Sequence, residues 1–168
     1  MKKVVSFLLL MLSCSVSFAG SIKSSGNTSV LNENAVAQIV FDFSGSRWED
    51  DDDFKSYCGN AYEERVRIAH DSFVESFNKI NKGLKFSDNE DGAKYKVIVK
   101  VQNFVQKTAK FGWGRFYIRI YANIEIQDMS NGNNVCGFYV KGISGGADYS
   151  QNDRFNKSWG EVAKELLR

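Results

Sequence analysis

The chain has 168 residues, of which 43% are hydrophobic and 14% aromatic, enough for one domain with a well-filled core. It carries 22 basic and 20 acidic side chains, and without Lys2 and Lys3 the charges balance at 20 and 20. This balance argues against a general nucleic-acid binder, because phosphate contacts require a basic face.

Residues 1–19 have the three parts of a secretory signal peptide. Lys2 and Lys3 form a basic start, residues 4–12 are apolar, and Ser17 and Ala19 form a small-x-small cleavage site. The apolar stretch is about half as long as the roughly 20 residues of a membrane-spanning helix. We therefore expect cleavage before Gly20 and a periplasmic or secreted protein.

Cys14 offers an alternative cleavage site. Residues 12–14, Leu-Ser-Cys, resemble the end of a bacterial lipobox, in which the cysteine is lipidated and anchors the protein in the outer membrane. Met11 stands where that motif favours leucine, and apolar residues continue past the cysteine. Simple secretion is favoured, and membrane contact is expected only if Cys14 is lipidated.

Two cysteines, Cys58 and Cys136, remain after cleavage. An oxidising compartment allows them to form a disulfide, which would stabilise the fold by about 3 to 5 kcal/mol for so long a loop. The alternative is two separately buried thiols. The sequence leaves both open.

The segments after the signal peptide predict a leader, a strand and a helix. Residues 20–34 are rich in Ser, Asn and Gly and predict a flexible leader before a single domain at 35–168. Residues 35–43, AVAQIVFDF, predict a strand buried largely on both faces. Apolar residues then recur at spacings of three and four, which predicts a long helix: Tyr62, Val66, Ala69, Phe73, Phe77 and Ile80.

The second half predicts three strands and a closing helix. Apolar and polar residues alternate over residues 95–102 and 116–126, and Asn131-Gly132 marks a tight turn before a strand at 135–143. One apolar face follows in a final helix, capped by Asn152 or Asp153. The order strand, helix, three strands, helix predicts an α+β fold with a largely antiparallel sheet and both helices on one face.

Short motifs in this order resemble a known group. They are FDFSG at residues 41–45, then YKVIVKV, IEIQDMSNG and a closing helix with RF and EVAKELL. The layout is similar to small bacterial envelope proteins related to the amino-terminal domain of TolB, and to the curli-secretion and penicillin-binding-protein-activator lipoproteins. The resemblance covers residues 35–167, although the weak lipobox departs from the lipoprotein members. It implies a non-enzymatic envelope module that binds or positions other proteins.

Side chains suited to catalysis or metal binding are not grouped in any known motif. His70 is the single histidine, and no nucleophile motif accompanies it. The acidic run at residues 49–53 lacks calcium-loop spacing and is better interpreted as a helix start or a solvated loop. The glycine-containing loops fit no nucleotide-binding fingerprint. We expect no catalytic residue, no cofactor and no metal site.

The candidate binding residues lie on and beside the most regular strand. Tyr117, Arg119 and Tyr121 alternate with its aliphatic residues, and Trp113 precedes it. Tyr, Trp and Arg are enriched at protein-binding hot spots. If a helix covers this face, the same side chains are simply core.

The function that these observations favour is an exported, non-enzymatic envelope accessory protein. It would bind another macromolecule, an envelope protein, through its sheet face or edge loops. The alternative is a module that binds carbohydrate or cell-wall glycan, with Trp113, Tyr117 and Tyr121 as stacking platforms.

Overall fold

A computed structural model describes residues 20–50, 52–109 and 115–168. Eight strands lie in these ranges: β1 (Ser21–Gly26), β2 (Val36–Asp42), β3 (Arg47–Trp48), β4 (Asp52–Asp53), β5 (Lys85–Ser87), β6 (Tyr95–Thr108), β7 (Phe116–Asp128) and β8 (Asn134–Ile143). Three α-helices accompany them: α1 (Phe54–Cys58), α2 (Tyr62–Ile80) and α3 (Gln151–Glu165). The α+β class predicted from the sequence is confirmed.

One mixed sheet joins the strands in the order β1-β8-β7-β6-β2-β5. The meander β6-β7-β8 is antiparallel, as predicted, whereas β2 runs parallel to both β6 and β5. The short β3–β4 hairpin pairs with β6 beyond the end of β2. The parallel pairs arise because α2 carries the chain back across the sheet before β5 and β6.

The segment predicted as a flexible leader is part of the fold. Residues 21–26 form β1, which pairs antiparallel with β8 from Ser21 opposite Lys141 to Gly26 opposite Cys136. A 3-10 helix, Thr28–Asn32, follows and buries Val30 completely. The polar composition of this segment did not reveal the strand. An edge strand is held by backbone hydrogen bonds, and these form with polar as well as apolar side chains.

The helices pack on one side of the sheet. The Ser158 hydroxyl of α3 donates a hydrogen bond of 2.9 Å to the Ile118 carbonyl oxygen of β7. Phe73 of α2 and Trp159 of α3 are fully buried, with ring centroids 6.2 Å apart. Phe77 stacks on Phe86 of β5 at 3.9 Å. The stripe predicted for α2 therefore faces the core at Ala69, Phe73 and Phe77.

Strand β2 differs from its prediction. Ala37 and Ile39 are buried against the helices, but Val36 and Val40 are more than one-third exposed. The expectation of burial on both faces is wrong because the far side of the sheet carries no helix in the described residues.

The two cysteines are separate free thiols. Cys58 ends α1, where its sulfur accepts a long contact of 3.8 Å from the Arg65 guanidinium, and Cys136 lies in β8 opposite Ile126. Burial raises the pKa of both thiols. Of the two alternatives left open by the sequence, the structure has the unbridged one.

The described helices include none that is both long and apolar enough to cross a membrane. Residues 1–19, with the predicted signal peptide and Cys14, lie outside the described residues.

Candidate binding face

The side of the sheet opposite α2 and α3, here called the open face, carries the predicted binding residues of β7. Side chains alternate along a strand, so Ile118 and Ile120, both fully buried, point to the helices. Tyr117, Arg119 and Tyr121 point the other way and are half-buried. The structure thus brings three of the four predicted residues together, while Trp113 lies outside the described residues.

Tyr117 and Arg119 form one contact on this face. The Arg119 guanidinium carbon lies 5.6 Å from the centre of the Tyr117 ring, within the range of a cation–π interaction. Their cross-strand neighbours on β6 are Lys107 and Val105. This end of the open face is therefore aromatic and basic.

Tyr121 lies over a glycine of the neighbouring strand. The β7–β8 register shifts between Ile120, paired with Ile143, and Tyr121, paired with Lys141, so Gly142 is the extra residue of a β-bulge. Its φ of +68° is in the left-handed region, and a Cβ built there would stand 3.2 Å from the Tyr121 hydroxyl oxygen. Glycine at this bulge allows the hydroxyl end of Tyr121 to lie close to the backbone of β8.

The open face also carries many charged side chains, most of them basic. Lys100 pairs with Glu125 at 3.3 Å, and the acidic Asp42 has its pKa lowered by the hydroxyl and backbone N–H of Ser44. By strand register the basic members are Lys23, Lys96, Lys100, Lys107, Arg119 and Lys141. On strands β1, β2, β6, β7 and β8, these six basic side chains share the face with two acidic ones, Asp42 and Glu125. Asp50 of the β3–β4 hairpin reaches the same face through its bond with Asn103.

A third tyrosine, which the sequence analysis missed, belongs to the same surface. Tyr139 of β8 is 40% exposed and lies between Lys23 of β1 and Asn123 of β7. It alternates with the buried Phe138 and Val140, so the period of two in β8 was the signal that could have found it.

The residues weighed for catalysis or metal binding are engaged in structure. The His70 ring is held by two carboxylates, Asp71 at 3.2 Å and Asp88 at 2.7 Å, and meets Phe41 edge-on. Asp53 caps α1 by accepting the Ser56 N–H at 2.8 Å, which lowers the pKa of its carboxyl. Within the described ranges, no group of three or more His, Cys, Asp or Glu side chains could hold a metal ion.

Glu49 and Asp50 form the turn of the β3–β4 hairpin. Both have positive φ, 56° and 70°, which is strained for residues with side chains. Glu49 accepts the Gln106 N–H at 2.8 Å, and Asp50 accepts from the Asn103 amide. Through these two bonds Glu49 and Asp50 hold the turn of the hairpin against β6.

Comparison with known proteins gives structural likeness only. No protein-family model and no curated protein matches the chain. A PelC dodecamer from Paraburkholderia phytofirmans has a TM-score of 0.48 and 12% identity over 88% of this chain and 97% of that chain. A DUF330 protein from Xanthomonas campestris has a TM-score of 0.39 and 18% identity over 61% and 58% of the two chains.

A DUF4136 protein from Bacteroides thetaiotaomicron has a TM-score of 0.38 and 8% identity over 88% of this chain and 92% of that chain. The resemblance to the TolB and curli-secretion group stays a prediction.

Proposed function

We propose that this chain is an exported, non-enzymatic accessory protein of the bacterial envelope that binds another macromolecule through its open face. One observation carries the proposal: Tyr117, Arg119 and Tyr121 lie together on the side of the sheet opposite the helices. Tyr and Arg are among the residue types that contribute most to binding energy at interfaces.

Export is proposed from the sequence of residues 1–19, whose basic, apolar and small-residue parts fit a signal peptide. A non-enzymatic role is supported by the surroundings of His70. Within the described part of the chain, its two ring nitrogens contact the carboxylates of Asp71 and Asp88, and neither contacts the hydroxyl or thiol of a nucleophile.

Carbohydrate binding is the second candidate, and the exposure of Tyr139 favours it. This ring adds a third aromatic platform to Tyr117 and Tyr121 on one surface. Aromatic rings with polar neighbours suit sugars, which combine apolar C–H faces with hydroxyl groups.

A capture experiment tests the binding face. The chain starting at Gly20 would be immobilised as wild type, as the double variant Tyr117→Ala/Tyr121→Ala, and as the control Tyr149→Ala. Tyr149 is 62% exposed in the loop before α3, outside the strands of the sheet, and its ring contacts Arg115. Envelope extract would be passed over each under native conditions.

We expect one envelope component to be retained by the wild type and by the control but lost with the double variant. Retention of peptidoglycan or glycan in the same pattern would favour the second candidate. Equal retention by all three chains would refute the open face as the binding surface.

A further inference from the structure

A shallow groove of about 320 Å³ crosses β8 on the open face. Gly137 forms its floor, between Ser25 of β1 and Glu125 of β7 in the strand register. The next row of residues places Tyr139 between Lys23 and Asn123. The groove forms because Gly137 has no side chain, whereas Ser25 and Glu125, which lie beside it on the neighbouring strands, each have one.

Gly137 is not required by its backbone. Its φ lies outside the left-handed region, and a Cβ built there would meet the movable Ser25 hydroxyl at 3.1 Å. A larger residue could therefore occupy the position with a rotation of Ser25. Glycine in the interior of a strand often marks a place where a ligand approaches the backbone closely. The space above Gly137 fits this interpretation.

The lining of the groove has the chemistry of a sugar subsite. Tyr139 supplies a 40% exposed ring on one side. Asn123 and Asn134 supply amides that both donate and accept, and Ser25 adds a hydroxyl. A pyranose ring presents an apolar C–H face to an aromatic ring and hydroxyl groups to such amides.

The charge around the groove selects an acidic ligand. Lys23 lines the groove, and Lys141 follows it on the same face beside Ser21 and Tyr121. The single acid of the lining, Glu125, is paired with Lys100 at 3.3 Å. Across β1, β2, β6, β7 and β8 the face has six basic and two acidic side chains, an excess that attracts an anionic chain.

A lipid surface fits these observations less well. Membrane contact uses apolar side chains that protrude beyond their polar neighbours. On the open face Val36 and Val40 are 37% and 36% exposed, and Ile98 and Val105 are half-buried. Lys96 and Lys100 flank Ile98 on the same face of β6, and Lys107 follows Val105 there.

We propose that the open face binds an acidic polysaccharide, with one sugar ring seated over Gly137 against Tyr139 and its carboxylates at Lys23 and Lys141. The inference rests on the proposed function, because it takes the open face as the binding surface and names its ligand class. Neighbouring sugars of the same chain would then lie along the row of Tyr121 and Arg119.

Affinity electrophoresis through gels containing polygalacturonate tests this proposal, with carboxyl-reduced polygalacturonate as the matched neutral polymer. The variants are Gly137→Val, which fills the groove, Tyr139→Ala, and Lys23→Gln/Lys141→Gln. Tyr149→Ala and Lys79→Gln serve as controls, since Tyr149 precedes α3 and Lys79 lies on α2. Thermal melts establish which variants are folded.

Polygalacturonate should retard the wild type and both controls, and the neutral polymer should not. Gly137→Val and Tyr139→Ala should each weaken binding about tenfold, as expected for loss of an aromatic anchor. The double lysine variant should also reduce the dependence of binding on salt. If Gly137→Val fails to fold, the other two variants still decide the outcome.

Three results would overturn the inference: equal retardation by the neutral polymer, unchanged binding in the three variants, or binding only to phosphatidylglycerol vesicles. A protein captured through Tyr117 and Tyr121, with no affinity for polygalacturonate, would refute the polysaccharide and leave the proposed function intact. If the open-face variants change neither capture nor retardation, both proposals fail.

Discussion

At the scale of single residues, Tyr121 and Gly142 show how a bulge positions a side chain. The inserted glycine turns its backbone under the ring and brings Tyr121 within 3.5 Å of a Cβ built there, with Arg119 at 3.7 Å. The close approach of the Gly142 backbone supports the hydroxyl end of the Tyr121 side chain. Such support reduces the entropy that a tyrosine loses on binding.

The double variant Tyr117→Ala/Tyr121→Ala should cost only about 1 to 2 kcal/mol of stability, because half-buried side chains leave no closed cavity. Phe77→Ala should cost about 3 to 5 kcal/mol, because Phe77 is fully buried between α2 and β5. Urea titrations of the two variants give the comparison. A larger loss for the tyrosine pair than for Phe77 would mean that the open face is part of the core.

Glu33 connects the first segment of the domain to β6. Its carboxylate accepts from the Lys94 ammonium at 2.6 Å and from the Tyr95 hydroxyl at 2.8 Å, and these bonds hold its pKa below the ordinary value of 4.5. A carboxyl with a lowered folded-state pKa adds stability above its unfolded pKa and loses it as the pH falls through the folded value. The same ion pair raises the pKa of Lys94.

We therefore expect the urea midpoint of the wild type to fall as the pH is lowered from about 6 to about 3. Glu33→Gln should have a lower midpoint at the upper end of that range and a shallower decline. Denaturation curves across this range check both. Identical slopes for the two chains would show that the Glu33 contacts do not contribute.

The residues of the candidate site were only partly predictable from the sequence. Strict alternation in β7 was sufficient to place Tyr117, Arg119 and Tyr121 on one face. It could not show that the face is open, because that depends on which side α2 and α3 occupy. Tyr139 and Gly137 join the site through the pairing of β8 with β7, which is a long-range register that periodicity does not contain.

At the scale of elements, β1 shows the limit of compositional reasoning. The periodic elements α2, β6, β7 and α3 were predictable because each buries one regular face. Strand β1 has five exposed residues of six, so its sequence carries no burial pattern. Its place in the fold comes from the free edge of β8, whose backbone groups need partners.

Removal of β1 should expose that edge. A chain starting at Asn27 keeps the 3-10 helix with its Asn27 cap but leaves the outer backbone groups of β8 unpaired from Cys136 to Lys141. We expect lower stability and concentration-dependent self-association compared with the chain starting at Gly20. Urea titration and sedimentation velocity measure the two effects. A monomeric shortened chain of unchanged stability would show that β1 is dispensable.

At the scale of the whole molecule, the numbers of basic and acidic residues are equal, but the two kinds are unevenly distributed over the surface. The chain after residue 19 has 20 basic and 20 acidic residues, yet strands β1, β2, β6, β7 and β8 place six basic and two acidic ones on the open face. Many of the other acids lie in loops and on the helices, among them Asp88, Glu90 and Asp91. The domain therefore presents a basic side and a more acidic remainder.

Cation-exchange chromatography should detect this asymmetry. We expect the chain starting at Gly20 to be retained at neutral pH in spite of its balanced charge. The triple variant Lys96→Gln/Lys100→Gln/Lys107→Gln should elute at lower salt than Lys55→Gln/Lys79→Gln/Lys82→Gln, which has the same net charge. Elution of both triple variants at the same salt would contradict a localised basic surface.

The pairing of β1 with β8 also has a consequence for the order of folding. The first strand of the domain pairs with the last, so Ser21 must find Lys141 after nearly the whole chain between them is available. Contacts so far apart in sequence form late and slow the folding of a domain. During synthesis the chain cannot complete its sheet until β8 has left the ribosome. We therefore expect β1 to stay without its strand partner until then and to close the sheet as one of the last steps of folding.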